Sequence, residues 1–369
     1  MGKILVTGAT GFLGGAIAAE LIKSGETKEL LLLSRSDASD TALNRVKKNL
    51  IKFGVDEISL SELTPQHIIE GDLSKVESFI SDQRLDDVEK VINCAAIASF
   101  GNNTMIWKVN VEGTFQLASR MSSVKSLKRF IHVGTAMSCT PTPNTNVVED
   151  TNYTLREDHL VEYTWSKATV EKMIRENLPM LPLVIARPSI VVGHTKYGCT
   201  PSASIFWVFR MAIKLGKFMC NLDDRVDVIP VDYCAQTIVK MLNAPELEYP
   251  VYHISSGKGS CVNFAEIDQA MAKAAGTVPI NDTYQKVNYS ELSLERANFK
   301  NLFGNCNEKI VLKAMSLYGQ FSKMNVVFDN DKIIKLGMPP SPKFTDYIDI
   351  CHHSVEEKSL SELMSVDFK

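Results

Sequence analysis

Short aliphatic runs alternate with longer segments of helical period along the first half of this chain, and that alternation leaves little choice of fold. Residues 3–6, 29–33, 67–70, 88–93, 129–133 and 183–186 have the length and composition of buried strands. Between them, 11–23, 41–53, 103–121 and 159–177 repeat apolar residues every three or four positions, as a helix with one buried face requires. Strands joined through a helix return parallel to one another. The expected class is therefore α/β, a Rossmann-type doubly wound parallel sheet with a smaller C-terminal substrate-binding subdomain. A loop over 140–158, rich in Pro, Asn, Thr and charge, reads as surface. Beyond Pro188 the pattern loosens, with an amphipathic helix expected over 202–217 and short strands over 227–229 and 251–255.

The first strand runs directly into TGATGFLG, residues 7–14. Gly8, Gly11 and Gly14 stand three apart where that strand turns into a helix. A residue without Cβ makes the turn, another lets a phosphate approach the backbone, and the third lets the helix lie close to the strand. The helix also presents free N–H groups and the positive end of its dipole to a pyrophosphate, beside Thr10, Phe12 and Leu13. The spacing is GxxGxxG, not the GxGxxG of many dehydrogenases.

The second strand ends Leu33-Ser34-Arg35-Ser36, with Arg35 where an acid usually accepts from ribose hydroxyls. A guanidinium there would pair with a 2′-phosphate, so NADP(H) is the expected cofactor. Asp37 is the competing reading, since a shift of two residues restores an acid. Residues 1–190 thus read as an NADP-binding unit, with sheet completion around 225–256, and 191–369 as mainly substrate-binding subdomain and C-terminal extension.

YTWSK places Tyr163 and Lys167 four apart on one helix face. An ammonium beside a phenol stabilises the phenolate and makes it usable in proton transfer. The bland alternative is a solvated helix face. Order along the chain favours the chemical one, because the pair follows the fifth strand, and that strand ends HVGTA with Thr135 at the sheet edge where such folds place their chemistry. His132, on the same strand, reads as a packed core histidine.

With these motifs in this order, the first two thirds of the chain resemble an extended short-chain dehydrogenase/reductase. Gly71-Asp72-Leu73 matches the element whose aspartate contacts the adenine, and NCAA, containing Ala95 and Ala96, resembles the segment lining the cofactor. Asn110 matches the asparagine that props the active-site helix and joins proton relay, and Arg187-Pro188-Ser189 resembles the turn beside the nicotinamide. IHVGTAMSC, YTWSKATVEKMI, LVIARPSIVVG and VDVIPVDYCAQTIVKML are similar to fatty acyl-CoA reductases and to thioester-reductase domains of carboxylic acid reductases and peptide synthetases. Gly134 departs from them, since relatives commonly carry a serine before the threonine.

The resemblance implies an NADPH-dependent reductase acting on an acyl thioester carried by CoA or by an acyl- or peptidyl-carrier protein. The product is an aldehyde, or an alcohol after a second hydride. Thr135, Tyr163, Lys167 and Asn110 would be the catalytic set, with Tyr163 and Lys167 also touching the cofactor and Asp72, Leu73, Pro188 and Ser189 lining it. The alternative is an extended ketone or sterol reductase, or a nucleotide-sugar epimerase or dehydratase, with the same triad on another pocket. A non-catalytic dinucleotide sensor would commonly have lost the tyrosine or lysine.

Residues 202–220 are apolar apart from Arg210, Lys214 and Lys217. They read either as a core-facing helix with a solvated cationic side, the favoured reading, or as a lid whose basic face meets a phosphopantetheine arm, a CoA phosphate or an acidic carrier. Phe206 and Trp207 are candidates for lining an apolar pocket, His194 to Tyr197 for a loop near substrate, and His352-His353 for surface. A net charge of −3 gives no basic field for nucleic acid, and eight cysteines without a CxxC pair give no metal spacing. Without a signal-like start or a long apolar span the chain reads as cytoplasmic and not membrane-integral, with monomer and homodimer both open.

Overall fold

Leu30 to Ser34 are buried without exception, as a strand covered by helices on both faces must be. The computed structural model describes residues 2–99, 103–152 and 154–364. Seven strands form its main sheet: β1 (Lys3–Thr7), β2 (Leu30–Ser34), β3 (Ile68–Glu70), β4 (Val88–Asn93), β5 (Arg129–Val133), β6 (Leu183–Pro188) and β7 (Val251–Ile254). Their order is β3-β2-β1-β4-β5-β6-β7, and every pairing is parallel. The winding direction reverses between β1 and β4, which opens a crevice above their C-terminal ends.

Side-chain alternation sorts the sheet's two faces. Ile4, Val6, Ile92, Ile131 and Ala186 join a core with α1 (Phe12–Lys23), α2 (Ala42–Ile51) and α6 (Val231–Asn243). Leu5, Val91 and Phe130 join the opposite core with α3 (Thr114–Ser122) and α4 (Glu162–Asn177). The expected helix over 103–121 is interrupted: a π-helical stretch, Lys108–Gly113, precedes α3. Asn110 lies within that stretch, and a Cβ on Gly113 would collide with the carbonyl of Leu73, so the widened turn lets the helix sit against the Gly71-Asp72-Leu73 loop.

A third core gathers α5 (Phe206–Leu215), α7 (Phe264–Ala275), α8 (Glu308–Ser322) and the C-terminal segment around Phe344 and Tyr347. α5 starts at Phe206 instead of residue 202 because Ser204 has a φ of 43°, and Gly216 at φ 68° ends it before Lys217. The expected surface loop over 140–158 does more than cross the surface. Its Asn146–Val147 strand pairs with Val327–Phe328, and Glu149 Oε1 accepts from the edge amide of His253 at 2.6 Å. Among the described residues no helix is long and apolar enough to cross a membrane.

Candidate active site

A single cavity of about 780 Å³ spans the C-terminal ends of β1, β4 and β5, with the glycine turn as one wall. Gly8 has a φ of 80°, and a Cβ there would lie 2.9 Å from Ala95 N; one on Gly14 would collide with the Gly8 carbonyl. Gly11 caps α1 without a side-chain hydrogen bond, so the first-turn N–H groups have no internal acceptor. This cradle fits a dinucleotide pyrophosphate, and Thr10, Phe12 and Leu13 line it as well. Thr7 fixes the opposite wall. Its hydroxyl donates to Asn93 Oδ1 at 2.8 Å and accepts from the N–H groups of Cys94 and Ala95, 3.1 and 2.9 Å away. Asn93 Nδ2 in turn meets Nδ1 of the buried His132 at 3.2 Å, and burial holds that imidazole's pKa well below its usual value.

Arg35 follows β2 and lines the cavity with an exposed guanidinium ion-paired to Asp72. Asp72 also accepts from Ser74 N at 2.7 Å, and Leu73 lies beside it on the wall. Asp37 is turned away into its own loop. It accepts from Ser39 N, Ser39 Oγ and Asp40 N, pairs with Arg45 at 3.0 Å, and the Ser39 hydrogen bonds lead in holding its carboxyl down at about 2. Ala95, Ala96, Pro188 and Ser189 border the middle of the cavity.

Thr135, Tyr163 and Lys167 all reach the same wall. Thr135 ends the β5 edge and caps the following turn, accepting from Met137 N at 3.4 Å. Lys167 is buried and donates to the carbonyl of Val133 at 2.7 Å. Burial pushes its ammonium down to about 8, against the opposing pull of Cys94 and Glu171, and burial pushes the Tyr163 phenol up. Asn110 does not line the cavity. Its amide exchanges hydrogen bonds with Ile97 N and O, at 2.8 and 3.1 Å, and donates to Ser166 Oγ at 3.0 Å; Ser166 donates to the carbonyl of Tyr163 at 2.7 Å. These bonds tie the loop after β4 to the helix that carries Tyr163.

The same cavity has an apolar chamber walled by Val208, Phe209, Phe264, Tyr318, Phe321 and Phe328. Sequence reasoning named none of the six as pocket residues. The signal was present in α8, whose apolar Val311, Leu312, Met315 and Tyr318 follow a helical period behind the capping Asn307. Phe206 and Trp207, expected on the pocket, pack instead on Phe344 and Tyr318 inside the third core, because the helix phase turns Val208 and Phe209 to the chamber. His194 and Tyr197 also lie elsewhere: the Tyr197 ring rests on Gly54 after α2, and His194 is buried 3.7 Å from Asp232.

The sequence profile of the NAD-binding Male sterility protein family matches residues 6–238. The chain is 24% identical over 336 residues to "Fatty acyl-CoA reductase 1" of Xenopus laevis, covering 78% of this chain and 64% of that one. It is 23% identical over 265 residues to "Glycine betaine reductase ATRR" of Emericella nidulans, covering 68% of this chain but 21% of that protein. The chain therefore spans less than two thirds of the length of these curated relatives. In fold it is similar to the terminal R domain of the myxalamid PKS-NRPS pathway, with a TM-score of 0.76 at 21% identity over 97% of this chain and 91% of the other.

Proposed function

The chain belongs to the Male sterility protein family, and we propose that its cavity reduces an acyl thioester with a nicotinamide dinucleotide, NADP(H) in preference to NAD(H). One observation carries the reading: the glycine turn, the Thr135–Tyr163–Lys167 wall and the apolar chamber belong to one continuous cavity. An acyl chain and a dinucleotide can therefore meet beside Tyr163. The fold relative from the myxalamid pathway and the acyl-CoA reductases among the sequence relatives support the thioester class.

The glycine turn would hold the pyrophosphate, and Arg35 with Asp72 the adenosine end. The bound dinucleotide would supply the hydride. Tyr163 and Thr135 hold the thioester oxygen through hydrogen bonds that strengthen as negative charge develops on it, and Tyr163 delivers its proton there. Lys167, one helical turn away, stabilises the phenolate that remains. The chamber keeps water from the acyl chain, and collapse of the hemithioacetal releases thiol and aldehyde. Reduction of that aldehyde at the same wall would give alcohol.

The test follows NADPH absorbance with acyl-CoA substrates of graded chain length, then with ketones and nucleotide sugars, and identifies the product. Oxidation with thioesters and none with the others is the expected result. Oxidation with nucleotide sugars or ketones alone would overturn it.

A further inference from the structure

Of the three cations that the less favoured lid reading turns toward a substrate's phosphate, Lys214 is exposed and lies outside the cavity lining, and the other two are committed elsewhere. Arg210 donates to the carbonyls of Val355 and Lys358, at 3.1 and 3.4 Å, and Lys217 pairs with Glu295 at 2.5 Å. These contacts fasten α5 to the C-terminal segment and to the turn after Leu294. Guanidinium groups elsewhere are satisfied internally too: Arg187 on Glu171, Arg120 on Asp86, Arg129 on three carbonyls behind α6.

Arg225 is different. It is exposed, it lines the chamber end of the cavity, and its side chain makes no hydrogen bond or ion pair among the described residues. Its backbone is fixed: the Arg225–Val226 strand pairs with Val262–Asn263, and Arg225 N donates to Asn325 Oδ1 at 2.9 Å. Asn325 and Ser322 line the cavity beside it. Acids nearby do not claim the guanidinium. Asp224 is buried on Asn221, and Asp227 accepts from Ser256 N, Ser256 Oγ and Phe328 N. An unclaimed guanidinium fork on a paired strand, lining the same cavity as the apolar chamber, suits a phosphate ester.

We propose that Arg225 binds the phosphate at the far end of the thioester's pantetheine arm. This rests on the thioester reading above and adds to it the anionic end of the substrate. The shared chemistry is a phosphate ester, supplied either by CoA or by the prosthetic arm of a carrier protein.

The experiment compares the wild-type chain, Arg225→Gln and Arg225→Lys on one acyl group presented three ways: on CoA, on a phosphopantetheinylated carrier protein, and on N-acetylcysteamine, which has the thioester but no phosphate. Arg225→Gln should raise KM for a phosphate-bearing thioester about tenfold relative to the phosphate-free one, with kcat unchanged on all three, as loss of a charge-assisted contact made equally in ground and transition states requires. Arg225→Lys should recover part of the difference. A rise confined to the CoA or to the carrier-bound form also supports the assignment and names the source. A KM ratio that stays within about twofold of wild type, while thioesters are reduced, overturns the Arg225 assignment alone. Failure of the wild-type chain to reduce any of the three overturns the thioester reading and this assignment with it.

Discussion

Arg187 and Glu171 form a buried two-pronged ion pair under the active-site wall, with Arg187 Nη2 and Nε 2.6 and 3.1 Å from Glu171 Oε2. Their side chains are 5% and 4% exposed. Glu171 sits one helical turn beyond Lys167, as Lys167 does beyond Tyr163, so the pair continues the line of functional groups along α4. It also accounts for Gly134. A Cβ there would collide with Glu171 Oε1, so the volume a serine would need is already occupied.

Breaking that pair on one side should be costly, because it leaves an uncompensated buried charge. Arg187→Met is expected to destabilise the fold by about 3–5 kcal/mol, and Gly134→Ser by about 1–3 kcal/mol through displacement of the carboxylate. Urea unfolding monitored by fluorescence and by circular dichroism checks both. Loss of less than about 1 kcal/mol in Arg187→Met would mean that the carboxylate finds another partner or water.

Burial of Lys167 sets a pH dependence. In the proposed mechanism Lys167 must be an ammonium to stabilise the Tyr163 phenolate, and burial brings its folded pKa to about 8, down from the ordinary 10.5. Activity that needs the protonated lysine is present below that value and is lost as pH rises through it, so kcat/KM should fall on the alkaline side with a limb near pH 8. The titratable groups that act on Lys167 are Cys94 after β4 and Glu171 on its own helix, and Lys167 in turn acts on His132 of β5. Burial pushes Cys94 up to about 12 and His132 well down, so both are neutral across this range. Glu171→Gln removes the anion that favours the ammonium and leaves Arg187 unpaired, so the limb should move to lower pH. An upward shift, or none, would show that Glu171 does not act on Lys167.

Tyr163→Phe removes the proposed proton donor while keeping the ring that lines the cavity. Turnover with an acyl thioester should drop by about 10²- to 10⁴-fold, the usual worth of a positioned acid. Dinucleotide affinity, read by fluorescence titration, should change by less than about threefold, since the glycine turn and Arg35 are left intact. Asn110→Ala is expected to act differently. It deprives the Ile97 N–H and the Ser166 hydroxyl of their partner, loosening both the cofactor-side loop and the start of α4, so turnover and dinucleotide affinity should fall together.

Much of this site could be read from the sequence because its parts depend on local period and on residues that admit few conformations. The glycines at 8, 11 and 14, the four-residue step from Tyr163 to Lys167 and the strand bounds at Val88–Asn93 and Arg129–Val133 are of that kind. What escaped depends on partners distant in sequence. Val327–Phe328 is two residues long and becomes a strand only against Asn146–Val147, while the Glu171–Arg187 pair has no spacing rule to announce it. The phase of α5 was equally hidden. Its apolar residues are nearly continuous, so nothing in the pattern says that Val208 and Phe209, not Phe206 and Trp207, face the chamber. The error over His194 and Tyr197 has the same root: closeness along the chain to Pro188 suggested closeness to the site, whereas the turn after β6 carries them to Asp232 and Gly54.

Cofactor choice rests on which side chain meets the adenosine ribose, and the two candidates differ sharply in what they are already doing. Arg35 is exposed on the cavity wall, held by Asp72, while its carbonyl accepts from Arg45 Nη1 at 2.6 Å, which fixes the backbone from which the guanidinium projects. A 2′-phosphate would compete with a single solvent-accessible carboxylate for that guanidinium, an exchange that costs little because exposed ion pairs contribute little. Asp37 would have to give up three hydrogen bonds to Ser39 and Asp40 and its contact with Arg45 before it could accept from a ribose hydroxyl. Arg35→Gln should therefore lower the ratio of kcat/KM for NADPH over NADH by about 10- to 100-fold, mostly through weaker NADPH binding, as expected for loss of a charged hydrogen-bonded pair. Asp37→Asn should leave that ratio within about twofold. If the Asp37 variant abolishes NADH use while the Arg35 variant leaves the ratio alone, the acid is the ribose ligand and the preference for NADP(H) is wrong.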